Sequence, residues 1–212
     1  MAVTTPGELP GHTTLTDLED MVRRALGRPE LVIDDVFRAP IAHRITAPAT
    51  GSLDRVHVTA HDSAPVEVRL VVKVLQSAIH GLPPHIPLEA RKRIAAAVPW
   101  RLEAEVYTGG TAQCMPPGLR LPRLFAALER ADDRIDLWLE DVDPTDEPWS
   151  TADLVRAAAG LGRLTVRRAD QQLATAGVTF LDHYVRNALH PWAIPALRSE
   201  QLWEHPAFAP AS

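Results

Sequence analysis

The sequence predicts an α+β fold in two parts: a five-stranded antiparallel sheet with one inserted helix, then a connector and a run of helices. Three observations carry that expectation. Apolar alternation of period two recurs in three runs between residues 31 and 77, separated by short turns. A helix-period stretch at 88–110 precedes a second pair of alternating runs at 121–142. After residue 142 the composition changes to an acidic, proline-containing stretch, 143–148, beyond which the spacing becomes helical.

Composition narrows the function classes. The chain has 212 residues, 46% of them hydrophobic and 23% charged, enough to bury a substantial core. A net charge of -5 and a pI near 6.0 give no basic surface for nucleic acid or anionic membrane. No apolar run approaches a membrane span and no charged, apolar leader opens the chain. The single cysteine, Cys114, excludes an internal disulfide and a multi-cysteine zinc site, so a cytoplasmic location is expected.

Taken in order, residues 1–15 are rich in Thr, Pro and Gly and are expected to be disordered. Thr16 opens a helix, with Glu19 placed to complete a capping box and Gly27 and Pro29 to end it. In 31–45, Ile33, Phe37, Ala39, Ile41 and Ile45 share one face, while Pro40 argues for an edge strand or a bulge. A turn at 46–52 leads to a strand at 54–61, and a turn at 62–65 leads to a third at 66–77. A Pro-rich loop precedes a helix at 88–98. Pro99 then starts a new helix, with Trp100, Glu103 and Tyr107 on one face and Gly109-Gly110 closing it. Strands at 121–128 and 135–142 flank a turn at 131–134. Ser150 caps a later helix with Asp153 three residues on and an apolar stripe of Leu154, Ala158, Leu161 and Leu164. A further helix is expected at 179–189.

The third strand, VEVRLVVKVLQS at 66–77, holds the chemistry. Val66, Val68, Leu70, Val72 and Val74 form one uniformly apolar face. On the other face Lys73 lies between Val71 and Leu75, where a strongly hydrated ammonium is costly without an anionic partner. The chain has two lysines, Lys73 and Lys92, against twenty arginines, which singles this one out. Thirty residues later Glu103 offers a helix carboxylate, with Glu105 as its rival. A strand lysine, a helix glutamate and a strand running into a linker make up the layout of a kinase-like nucleotide-binding lobe.

More specific stretches resemble the aminoglycoside phosphotransferase family. Residues 100–107 are similar to its tryptophan-x-x-glutamate-x-x-x-tyrosine helix, 115–122 to the segment that follows, and 137–142 to its hinge strand. Trp149 with 158–164 is similar to the first helix of its second lobe, and 203–206 to a later tryptophan–His-Pro element. The resemblance spans roughly 31–206, in order. It implies a protein-kinase-like N-lobe at 16–142, followed at 143–212 by a linker and the first helices of an incomplete C-lobe. It also implies that Lys73 contacts the phosphates of ATP, that Glu103 fixes Lys73, and that the backbone of Glu140, Asp141 and Val142 holds the adenine. The implied reaction is transfer of the ATP γ-phosphate, with Mg2+, to a hydroxyl of a small molecule.

The chain also departs from that pattern. The turn between the first two strands has one glycine, Gly51, in place of a glycine-rich phosphate clamp. Arg163 is followed by Leu-Thr-Val-Arg, not by small residues. No His-x-Asp-x4-Asn catalytic loop occurs. Asp182 and Asn187 have the spacing, but Phe180 replaces the His and no Asp follows for magnesium. The family's catalytic loop would fall beyond Ser212, so the chain reads as the first half or so of a phosphotransferase, inactive alone. The alternative is a non-catalytic kinase-like remnant that binds nucleotide or a partner, or one half of a split enzyme. Exposed apolar helix faces then predict self-association or a complementing C-terminal half.

Simpler readings stand beside these. Lys73 can snorkel to solvent, and Glu103 can be a solvated helix residue. Trp138 and Trp149 suit packing better than ligand stacking. Asp141, Asp143, Asp146 and Glu147 suit a solvated linker better than a metal cluster. His57 and His61 have metal-like spacing only on a helix, and their stretch reads as strand.

Overall fold

In the computed structural model, the residues described are 9, 13–42, 47–142, 148–168, 186 and 194–199. The elements are α1 (Leu15–Leu26), β1 (Val32–Pro40), β2 (Thr50–His61), β3 (Pro65–Gln76), α2 (Ala78–Gly81), α3 (Leu88–Ala97), α4 (Leu102–Thr108), β4 (Leu124–Arg130), β5 (Arg134–Glu140), α5 (Thr151–Arg168) and α6 (Ile194–Leu197). The five strands form one antiparallel sheet in the order β1-β2-β3-β5-β4. The architecture is α+β, as the alternation and its interruption imply. Among the described residues no helix is long and apolar enough to cross a membrane. The helix expected at 179–189, the acidic stretch 143–147 and the Asp182/Asn187 pattern lie outside the described residues.

The helix caps follow local chemistry, with one correction. α1 is capped by Thr14, not Thr16: the Thr14 hydroxyl accepts from the Asp17 amide and the Asp17 carboxylate accepts from the Thr14 amide. Two overlapping patterns compete here, and Glu19 is used elsewhere, accepting from the Ile33 N–H at 3.1 Å. At the other end Gly27 takes a left-handed φ of 65°, as a residue without Cβ does at low cost. α5 is capped as the sequence predicts, with Ser150 Oγ donating to Asp153 at 2.6 Å and accepting from its amide at 3.2 Å. Pro99 opens only a turn, and α4 proper begins at Leu102.

The apolar faces are two. On one, Leu18, Met21 and Val22 of α1 pack against Val56, Val58, Leu70, Val72 and Trp138. Each fully buried aliphatic side chain there contributes about 1.5–3 kcal/mol. On the other, Ala104 of α4, flanked by Trp100 and Tyr107, packs on Leu75, Ile135, Leu137 and Leu139. β3 therefore divides its side chains as the alternation requires: Val68, Leu70, Val72 and Val74 are buried on the α1 face, and Lys73 is on the α4 face.

β1 departs from strict alternation. A bulge between Ile33 and Asp35 shifts the phase by one residue. Ile33 and Val36 therefore face the core, and Phe37, expected with Ile33, is 42% exposed and packs edge-on to His57. β1 is nevertheless the edge strand that Pro40 implied. β2 begins earlier than expected, at Thr50, with a register shift against β3 between Thr50 and Ser52; a Cβ on Gly51 would lie 2.9 Å from Gln76 Oε1. α5 presents Gly160 to the body, where a Cβ would meet Leu119 at 2.7 Å, and leaves Leu154 and Leu161 more than half exposed.

Candidate functional site

Lys73 stands on β3 opposite Leu53 of β2 and Leu137 of β5, the central position of the sheet. Its Nζ donates to Glu103 Oε2 at 2.6 Å. α4 brings the carboxylate there because Tyr107, four residues after it, and Trp100, in the turn before the helix, pack against the cluster of Leu75, Ala104, Ile135, Leu137 and Leu139. Glu103, not Glu105, meets the lysine; Glu105 Oε2 is buried with no hydrogen-bond partner among the described residues. The two side chains are 24% and 39% exposed, so the pair is half-buried yet reachable from solvent. Tyr107, close by, has its hydroxyl pKa raised, first by burial and then by the Glu103 charge.

The end of β5 is held by arginines. The Glu140 amide donates to the Arg123 carbonyl at 2.9 Å. Its carboxylate accepts from Arg120 at 2.5 and 3.1 Å and from the Arg123 amide at 3.0 Å. The Arg120 bond, aided by that amide, holds the Glu140 carboxyl below its ordinary value. The Asp141 amide donates to the Arg69 carbonyl at 3.1 Å. Of the three residues expected to meet adenine, Val142 is the one whose amide has no backbone partner among the described residues, and its side chain is 45% exposed.

Asp141 is not a solvated linker acid. Its side chain is 5% exposed and accepts from Arg55 Nε at 2.7 Å and Nη2 at 3.4 Å. Arg55, Val71 and Leu139 are in register across β2, β3 and β5, so this pair spans Val71 on the face that carries Lys73. Sequence reasoning missed it; the one available signal was an arginine among the apolar residues of β2. Trp138 is fully buried in the core, whereas Trp149 is 64% exposed. His61 lies 2.7 Å from Asp34. Among the described residues no three His, Cys, Asp or Glu side chains gather to hold a metal ion.

No protein-family model, curated protein or solved structure matches this chain.

Proposed function

We propose that residues 16–142 form a kinase-like nucleotide-binding lobe, part of an ATP-dependent phosphotransferase acting on a small-molecule hydroxyl and resembling the aminoglycoside phosphotransferases. The observation that carries the reading is the 2.6 Å Lys73–Glu103 ion pair between a central strand and the helix inserted after it. A lysine on the third strand held by a helix glutamate is how protein kinases present an ammonium to the α- and β-phosphates. Glu103 offsets the desolvation of the ammonium and fixes its direction, and N–H donors remain for an anion. Val142, 45% exposed two residues past the end of β5, is the matching place for a base. Transfer itself also needs a carboxylate to orient the acceptor hydroxyl and others to hold Mg2+.

The test is ATP affinity by isothermal titration for wild type, Lys73→Ala and Glu103→Gln. Lys73→Ala is expected to weaken binding at least tenfold, about 1.4 kcal/mol, and Glu103→Gln by less. Equal affinity in all three would remove Lys73 from any nucleotide site.

A non-catalytic nucleotide- or partner-binding module is the second reading. It is favoured by the Arg55–Asp141 pair over Val71, whose guanidinium is 41% exposed on the face that carries Lys73 and can meet a partner. No ATP binding by wild type supports a partner-binding module; turnover abolished by Lys73→Ala supports the first reading.

A further inference from the structure

Lys73 has a cationic neighbour on its own side of the sheet. Arg55 of β2 is in register with Val71 of β3, and Leu53 with Lys73. Opposite residues of an antiparallel pair share a face, as do residues two apart on one strand. Arg55 and Lys73 are therefore diagonal neighbours, roughly 7–8 Å apart along the backbone surface. The other two corners of that block, Leu53 and Val71, are aliphatic. Arg69, opposite His57, is the other diagonal neighbour of Arg55, and Glu67 lies two residues beyond it.

The two ion pairs on this face are built differently. Lys73 and Glu103 both reach solvent, the acid more than the base. In the Arg55–Asp141 pair the carboxylate is buried and the guanidinium is the member that meets solvent, 41% exposed against 5%. Asp141 accepts from Nε and Nη2. A guanidinium has five N–H donors, so three remain outside that pair, in a fork whose direction the buried acid fixes. Such a fork suits phosphate oxygens better than an ammonium does. A monophosphate can satisfy one of these cations. A ligand that meets both must have linked anionic groups.

We propose that Arg55 is a second phosphate-binding residue beside Lys73, and that this face takes linked phosphates, a di- or triphosphate, in preference to a monophosphate. The assignment rests on the reading of Lys73 as a phosphate contact, and it adds both a residue and a minimum length of ligand.

Tripolyphosphate, pyrophosphate and orthophosphate are titrated calorimetrically into the full chain, with ATP alongside. The two linked phosphates are expected to bind at least tenfold more tightly than orthophosphate, and Arg55→Ala should remove that preference. Lys92→Ala, which deletes an exposed lysine of α3 paired with Glu89, should leave it intact. Because Arg55→Ala strips Asp141 of its donors, Arg55→Leu/Asp141→Leu, which replaces the pair by apolar side chains, must lose the preference as well while keeping the circular dichroism of wild type. An undiminished preference in the Arg55 variants, an equal loss in Lys92→Ala, or no tripolyphosphate binding by wild type up to ~1 mM would overturn the proposal. ATP binding that needs Lys73 and not Arg55 removes Arg55 and leaves the nucleotide reading standing. Tripolyphosphate binding that needs both residues, with no binding of ATP, removes the nucleotide reading and leaves Arg55 in place.

Discussion

The two faces of the sheet are closed by different physics. Under α1 the seal is aliphatic, with Leu18, Met21, Val22, Leu70 and Val72 at or near zero exposure. Under α4 a smaller apolar cluster is bordered by charge, Lys73–Glu103 over its centre and Arg55–Asp141 toward the end of β5. Dispersion and hydrophobic burial fix the first face whatever the solvent contains. Ion pairs of partial exposure contribute little stability. One face is sealed by apolar packing, and the other keeps charged side chains partly exposed.

That contrast can be broken in steps of decreasing size. Leu70→Ala, on the sealed face, should cost about 2–5 kcal/mol in urea unfolding. On the charged face, Arg55→Ala leaves the buried Asp141 carboxylate without its donors and should cost about 1–3 kcal/mol. Thr14→Ala removes the cap of α1 and should cost about 1 kcal/mol. Lys73→Ala should change stability by less than about 1 kcal/mol while weakening nucleotide binding tenfold. Losses from Lys73→Ala as large as those from Leu70→Ala would make Lys73 a structural residue and erase the distinction.

Protonation separates two further carboxyls, one on α5 and one on the sheet. Asp153 is held at about 2, below its ordinary 3.8, first by the Ser150 hydroxyl and then by Arg156. A carboxyl depressed in the fold stabilises it above the ordinary value, and the benefit disappears as pH falls through about 2. Asp136 is shifted the other way, raised by burial despite Arg130, so the fold disfavours its ionised form and loses stability as pH rises through its pKa. Carbon-13 carboxyl titration should therefore show Asp153 titrating below Asp136.

What the sequence disclosed depended on whether a signal was local. The buried face of β3 was legible because alternation over Val66, Val68, Leu70, Val72 and Val74 needs only the strand itself. The Ser150–Asp153 cap was legible for the same reason. The position of the α1 cap was not, since Thr14 and Thr16 each precede an acid by three residues and only packing decides between them. The bulge after Ile33 was invisible, because one unpaired residue leaves no mark on composition. Arg55 and Asp141 are 86 residues apart, and nothing local announces their pairing. Lys73 came into view as a lone ammonium in an apolar strand and Glu103 as the helix carboxylate thirty residues on, and the structure adds the distance between them.

β1 has a consequence for the chain in a crowded solution. An outermost strand offers its free amides and carbonyls to any other extended polypeptide, which is how sheets grow into fibrils. Here that border has the Asp34-Asp35 pair, the bulge beside it and Pro40, which has no amide to offer. Each interrupts the ladder that an incoming strand would need. The irregularity that obscured β1 in the sequence thus also makes this edge a poor template for aggregation.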